Sequence, residues 1–587
     1  MPAISVFLRQ AADIFGRKWW EKGLLAGLIY LATTRDRLEK NNLHDSYTAV
    51  DYPVATCTPE TRFARTLDGT CNDLEKPAMG SLGYRFGRNI PVEKGFADES
   101  KFFEPNPRAI GQKLLLRDTF KPATTINMFV LSWIQFQVHD WMDHERAWGS
   151  PVDVPLPQGD PLAASGQKLF LPRSVPDASQ KNASRPKAFK NKVTHWWDLS
   201  QIYGTDTQTN QRVRTGVDGK LRLAENGLIP FDNDGVEITG FKDNWWSGLS
   251  MLHNIFTREH NAICDMYKAK HPDWNDQKLH DMARLVLTAV NAKIHTVEWT
   301  PGILQNNILK TAMQTNWDGI LPDILDGWQG GPILTGIVGG KKNLHNVPFS
   351  LTEEFTSVYR FHSLLPDNID VLDRKTGKST GRVYHLPTIT FAGSRKFMTE
   401  NDLADLVYTF GTGNPGALTL NNYPAWLMNL TKPGEPYTID LATTDVYRDR
   451  ERGVPRYFEF RRLFGLPEFK TFADVNPKKE VQDLLASVYR SPEDIDLLVG
   501  TLAEEPRPDG YGFSDTAFQL FVLMASRRLF TDRFLTDDYK PEIYGKEGLD
   551  WIEKQGNFKS LLTRHFPDLK PAMDTVDNPF KPWKVKA

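Results

Sequence analysis

The stretch that most limits what this chain can fold into is TTINMFVLSWIQFQVHDWMDH, residues 124–144, which predicts a long helix with an apolar core. Gln135 and His139 are four apart, so they share one helix face with Cβ atoms about 5–6 Å apart. Asp140 points roughly 100° away from His139. One helix thus aims an amide and an imidazole into one pocket and a carboxylate into another site. On these residues alone, a satisfied core histidine is the more ordinary reading.

Further helical patterns are expected at 245–270, 277–299, 351–363, 401–411, 478–488, 493–502 and 514–535. Strand signals are few and short, around 221–240 and 383–391. Residues 46–110, rich in Pro, Gly and Asp, should be mostly irregular, and 151–190 reads as one long loop. There is no internal repeat. The expected architecture is mainly α, with one large domain at 56–587 after an N-terminal helical arm at 1–55. Within 1–45 the arm reads as two or three short amphipathic helices. Trp19, Trp20, Leu24, Leu25, Leu28 and Tyr30 lie on their apolar faces, beside Arg17, Lys18, Lys22, Arg35 and Arg37. Two readings of the arm stay open: a docked cover for the core, or a peripheral membrane contact at the interface.

The balance of 71 Lys and Arg against 73 Asp and Glu leaves a net charge of -2, so no basic field reaches for nucleic acid. The 16 Trp and 34 Phe either fill a large core or line an apolar cavity. Three cysteines, Cys57, Cys71 and Cys264, are too few and odd in number for a secreted disulfide framework, and they argue for a reducing compartment. The N-terminus lacks a signal-peptide pattern, and the apolar run at 23–32 is too short to span a bilayer. The expected location is therefore cytoplasmic or peripheral to a membrane, not secreted.

Three more segments carry chemistry. In VTHWWDLSQIYG, 193–204, Thr194, Trp196, Asp198 and Ser200 alternate, and an extended chain turns such residues to one side. Two hydroxyls, a carboxylate and a main-chain carbonyl, with Asp140 nearby, suit a hard cation such as calcium; a polar turn is the plain alternative. In LMASRRLFTDRF, 523–534, Arg527 and Arg528 sit in an otherwise apolar helix, which can hide an arginine only if an anion meets it. A salt bridge to Asp515 or Asp532 is the competing explanation. In VYRFHSLLPD, 358–367, Tyr359 and His362 are either a core-packing helix face or a metal-holding histidine with a redox tyrosine beside it.

Taken in order, DGTCN, Q-x-x-x-HD, T-x-W-x-D-x-S, REHN and Y-x-x-H resemble the animal-type haem peroxidase and cyclooxygenase superfamily, from about residue 60 to about residue 535. The resemblance implies a mainly α, cyclooxygenase-like helical catalytic domain with haem b and calcium. It matches His139 to the distal histidine, Gln135 to the distal glutamine and His362 to the proximal iron ligand. Asp140, Thr194, Trp196 through its carbonyl, Asp198 and Ser200 match the calcium site. Tyr359, one turn before His362 on the same helix, matches the cyclooxygenase tyrosine that becomes the hydrogen-abstracting radical.

Peroxidases of this class carry an arginine and a glutamate upstream of REHN, where this chain has Lys242 and Trp245, and an acid before the distal histidine, where it has Val138. Without those carboxylates no ester to haem can form, so the haem should be non-covalent. The pattern that remains resembles fatty-acid α-dioxygenases. In that family a His, a Thr and an Arg hold the substrate carboxylate, which implies His295, Thr300 at a helix end before Pro301, and Arg528, with Arg527 as runner-up. The implied reaction adds O₂ at C2 of a long-chain fatty acid to give a 2-hydroperoxy acid. The rival readings are a haem peroxidase of small reductants and a haem-free, calcium-dependent scaffold.

Overall fold

The computed structural model describes residues 18–166, 168–319, 336–431 and 437–586. Eight helices place the functional side chains: α1 (Leu24–Asn41), α2 (Met128–Trp141), α3 (Ser247–Lys270), α4 (Asp276–Ile294), α5 (Glu353–Val358), α6 (Leu403–Thr412), α7 (Leu441–Glu451) and α8 (Asp515–Thr531). The strands among the described residues are short, none longer than seven residues. Arg146–Val152 pairs antiparallel with Leu171–Ser174, and Asn368–Leu372 pairs antiparallel with Ser379–His385.

Helix α2 is the axle. It starts where the Asn127 side chain caps the Phe129 N–H at 3.1 Å, satisfying a donor that has no partner within the helix. The same Asn127 amide donates to the carbonyls of Gly411, Pro579 and Lys581, tying the helix start to α6 and to the C-terminal segment. Every residue of α2 is buried except Gln135 and Val138, and those two line a cavity. Helix α3 packs along α2, and α4 along α3. Helix α8 is capped by Ser514, whose hydroxyl accepts from the Ala517 N–H.

The N-terminal segment differs from the expected set of short helices: after one 3₁₀ turn (Trp19–Glu21), α1 runs uninterrupted for 18 residues. Trp19 is buried, stacks on Tyr30 and Phe518, and donates to Asp515 at 3.4 Å, so this part of the arm is docked on α8. Arg17 lies outside the described residues. Leu24 and Leu25 remain exposed beside Lys18 and Lys22. No helix among the described residues is long and apolar enough to cross a membrane.

Other expectations are corrected. The predicted strand region at 221–240 makes only isolated bridges, Arg214 to Leu221 and Phe231 to Glu237. The long loop at 151–190 holds the strand Leu171–Ser174 and a short helix, Pro161–Ser165. Cys57 and Cys71 form a disulfide, which removes the argument from cysteine count for a reducing compartment; Cys264 is free and buried.

The helix expected over 351–363 stops at Val358. Tyr359 is its last cap, and His362 opens a separate 3₁₀ turn, so the two do not share a helix. The cause lies on α7. Arg360 pairs with Asp445 and Asp449, each at 2.9 Å, and His362 pairs with Asp445, which draws the chain out of helical register. Nor does Pro301 end a helix. Past Ile294 the chain runs on as a π-turn, His295–Trp299, and then one more α turn, Thr300–Ile303, with helical backbone throughout, so Pro301 lies inside a continuous helical stretch and follows directly on the wider π-turn.

Candidate active site

A cavity of about 300 Å³ opens between α2, α7 and the segment after α5. His139 and Gln135 reach it from α2, Tyr359 and His362 from the segment after α5, and Asp445 and Arg448 from α7. His362 Nδ1 donates to Asp445 Oδ2 at 2.7 Å, which leaves Nε2 as the nitrogen free for a metal. Burial alone would raise the Asp445 carboxyl, but its pairing with His362 and Arg360 outweighs burial and holds it at about 2. Burial, aided by the Arg146 charge, pushes His139 down to about 3, so it is a neutral base at neutral pH. Its Nδ1 has no partner. The Gln135 amide is engaged at both ends, donating to Asn244 O at 3.0 Å and accepting from Trp246 Nε1 at 2.8 Å.

These residues fit haem. The remaining walls are largely apolar, built by Leu131, Ile134, Phe241, Leu365 and Leu427. Arg448 faces the cavity without an ion pair among the described residues, and burial with the nearby Arg452, Arg146 and Arg360 pushes it well below its ordinary pKa. A haem propionate is an anion of the kind such a guanidinium needs. Val138 and Trp245 line the cavity and offer no carboxylate, while Lys242 turns away to Asp232 and Asp234, each at 2.7 Å. Asp445 and Arg448 were not singled out in the sequence. Their one local signal is a spacing of three in the charged stretch LATTDVYRDRE, which puts both on one helix face.

The second half of the site lies behind Tyr359. Arg528 on α8 is buried between two indole faces, 3.7 Å from the ring centre of Trp141 and 4.0 Å from that of Trp197. Its Nη2 donates to the Trp196 carbonyl at 3.1 Å, while Nε and Nη1 have no partner among the described residues. Neither carboxylate weighed against it pairs with it: Asp532 is held by Arg65 at 2.9 Å, and Asp515 takes Gln519 and Trp19. Burial pushes Arg528 down to about 9, still cationic at neutral pH. Arg527 instead donates to the carbonyls of Leu344, Val347 and Pro348.

His295 projects from the π-turn into this cluster, stacked on Trp299 at 4.7 Å and edge-on to Trp141 at 5.2 Å. Thr300 Oγ1 donates to the His295 carbonyl at 2.8 Å, and both residues border a small cavity with Trp197 and Ser526. Tyr359 joins the two halves. It lines the large cavity, stacks on Phe521 at 6.2 Å and lies 6.2 Å from the Trp141 ring. Its hydroxyl has no partner among the described residues, and burial pushes its pKa well above the ordinary value. The groups here without a partner among the described residues (Tyr359 Oη, Arg528 Nε and Nη1, Trp141 Nε1, Trp197 Nε1 and Ser526 Oγ) can all donate, which fits an anion such as a carboxylate.

The calcium residues also converge. Asp140 Oδ1 accepts from Ser200 N at 2.6 Å and Ser200 Oγ at 2.7 Å, and Asp198 Oδ2 accepts from Thr194 Oγ1 at 2.8 Å. Asp140 Oδ2 is buried without a partner among the described residues. Burial and the Asp198 charge push Asp140 up to about 6. Two buried, mutually repelling carboxylates ringed by neutral oxygens fit a cation, although Arg65 already meets Asp198 at 3.2 Å.

An α-helical domain with paired histidines around one cavity is the architecture of haem peroxidases and their dioxygenase relatives. The animal haem peroxidase family model matches residues 64–578. The chain is 37% identical to Alpha-dioxygenase 1 of Arabidopsis thaliana over 592 residues, covering 96% of this chain and 90% of that protein. It superposes on a crystal structure of a Tyr-to-Phe variant of Oryza sativa fatty acid alpha-dioxygenase with palmitic acid, with a TM-score of 0.91 and 33% identity, covering 100% of this chain and 98% of that one. The Arabidopsis thaliana fatty acid alpha-dioxygenase structure gives a TM-score of 0.91 at 35% identity, covering 100% and 94%. The chain belongs to the animal haem peroxidase family and, within it, to the alpha-dioxygenases.

Proposed function

We propose that this chain adds O₂ to C2 of a long-chain fatty acid, giving a 2-hydroperoxy acid, with Tyr359 as the group that removes the C2 hydrogen. The observation that carries this reading is the Tyr359 hydroxyl, buried and unpartnered between the histidine-lined cavity and the donor cluster around Arg528. His362 through Nε2 would hold haem iron, Arg448 would meet a propionate, and no covalent link is expected because Val138 and Trp245 stand where ester carboxylates would be. Haem bound there would supply one-electron oxidising power at the expense of a hydroperoxide.

His139, neutral and facing the same cavity, takes and returns a proton on the distal side. Arg528 and His295, with Thr300 once its hydroxyl turns from the His295 carbonyl, hold the fatty-acid carboxylate and so fix which methylene meets Tyr359. That positioning is most of the selectivity, because the other methylenes are chemically similar. The oxidised tyrosine takes a hydrogen atom from C2, O₂ adds to the carbon radical, and the resulting peroxyl radical takes a hydrogen atom from the Tyr359 hydroxyl, giving the hydroperoxide and regenerating the oxidised tyrosine. Calcium held by Asp140, Thr194, the Trp196 carbonyl, Asp198 and Ser200 would brace the loop that carries Trp197. Contact of the arm with a membrane surface is supported by the exposed Leu24 and Leu25 beside Lys18 and Lys22.

The test is oxygen uptake by the haem-loaded protein with palmitate, with mass spectrometry of the product. A 2-hydroperoxy acid, or the aldehyde one carbon shorter that forms on loss of CO₂, is expected. Oxygenation at any other carbon, or turnover only of small reductants, would overturn the assignment.

A further inference from the structure

Trp133 Nε1 donates to His295 Nδ1 at 3.1 Å. An indole N–H can only donate, so Nδ1 must accept and carries no proton. Burial and the Arg528 charge push His295 well below its ordinary pKa, so the ring is neutral and its single proton sits on Nε2. The ring has little freedom to turn over, being stacked on Trp299 with only 13° between planes and edge-on to Trp141 at 82°. Trp133 is equally fixed, buried on α2 among Phe256, Phe558 and Phe580.

We propose that Trp133 is a positioning residue of this site: by occupying His295 Nδ1 it fixes His295 as an Nε2–H donor to the substrate carboxylate. The inference rests on the reading of Arg528, His295 and Thr300 as the carboxylate site. A carboxylate only accepts, so a bare imidazole nitrogen turned toward it would repel it. Trp133 removes that tautomer. Its N–H thus acts on the substrate through the imidazole, and the distal helix that carries His139 also sets the chemistry of the carboxylate end.

The test uses Tyr359→Phe holoenzyme, which should bind palmitate without consuming it, and compares palmitate with hexadecanol. Adding Trp133→Phe should weaken palmitate about tenfold and leave hexadecanol unchanged, the size expected for one hydrogen bond to a charged group. In a His295→Gln background, whose amide donates without any choice of tautomer, Trp133→Phe should change palmitate affinity less than about twofold. An unaltered preference for palmitate in Trp133→Phe, or an equal loss in the His295→Gln background, would overturn the inference. If Trp133→Phe does not fold, neutron diffraction from crystals of the unsubstituted holoenzyme in D₂O decides: a deuteron on His295 Nε2 supports it, and one on Nδ1 refutes it. Should Tyr359→Phe holoenzyme show no preference for palmitate over hexadecanol at all, the carboxylate reading itself has failed.

Discussion

Arg528 Nη2 donates to the carbonyl oxygen of Trp196 at 3.1 Å, so the arginine proposed to meet substrate and the loop proposed to hold calcium share one oxygen. The sharing extends along the chain. Asp140 precedes Trp141, and Asp198 follows Trp197, and these two indoles are the faces between which Arg528 lies. A cation that fixes Asp140 and Asp198 would therefore fix the walls around the guanidinium. Chelation should raise the Michaelis constant for palmitate as well as lower stability, by mass action on the native state. An unchanged Michaelis constant and melting temperature in chelator would remove calcium from the site.

The same loop sets a pH dependence. Without a cation, Asp140 has a folded pKa of about 6, above its ordinary 3.8. A carboxyl raised in this way favours folding at low pH, and that contribution is lost as pH rises from about 4 to about 6, worth about 3 kcal/mol. Calcium binds the ionised form, so its stabilisation should grow over the same window. Melting curves with calcium and with chelator at pH 4.5 and at pH 7 should diverge as pH rises; the same calcium gain at both would contradict the assignment of Asp140.

Tyr359→Phe should keep fold and haem while oxygen uptake with palmitate stops. The lost hydroxyl has no partner among the described residues, so its removal breaks no hydrogen bond there and the melting temperature should hold or rise slightly. Continued dioxygenation by this variant would sink the radical assignment.

His362→Ala should lose the Soret band, because iron loses its strong protein ligand. Asp445→Asn keeps an acceptor for His362 Nδ1 but removes the charge that faces both His362 and Arg360. Haem retention should fall by about tenfold or more, the usual effect of altering the partner of a metal-bound histidine. A Soret band of normal intensity in purified His362→Ala would contradict the ligand assignment.

Helix α2 and its Gln135/His139 pair were legible because period and composition are local properties of the chain. The motifs gave the order of the site for the same reason. What stayed hidden depends on distant segments. The break after Val358 is set by Asp445 and Asp449 on α7, which no window around Tyr359 contains. The partnership of Trp133 with His295 joins residues 162 apart. The Cys57–Cys71 bridge has two members only 14 apart, yet a count of cysteines could not pair them. Arg527 and Arg528 are adjacent on one helix, and period alone does not say which meets an anion; the three carbonyls around one and the two indoles around the other favour Arg528.

That distinction gives the sharpest test of the carboxylate site. Fatty acids should be turned over far better than methyl esters or alcohols of the same length, since those bury the same chain but leave the Arg528 guanidinium without its anion. Removing one partner of a buried charged pair costs about 3–5 kcal/mol, or roughly a hundred-fold or more in kcat/KM. Arg528→Gln should erase most of that preference, raise KM for palmitate and blur the choice of C2, because the chain can then slide past Tyr359. Arg527→Gln removes donors from the carbonyls of Leu344, Val347 and Pro348, so it should lower the melting temperature and leave the preference for acid intact. The measurement is oxygen uptake with acid, ester and alcohol, and product regiochemistry by mass spectrometry, for both variants and the unsubstituted protein. Equal rates on acid and ester without any substitution would rule out a carboxylate site at Arg528. Loss of selectivity only in Arg527→Gln would mean that the anion meets the neighbouring arginine after a rearrangement of the Leu344–Pro348 segment.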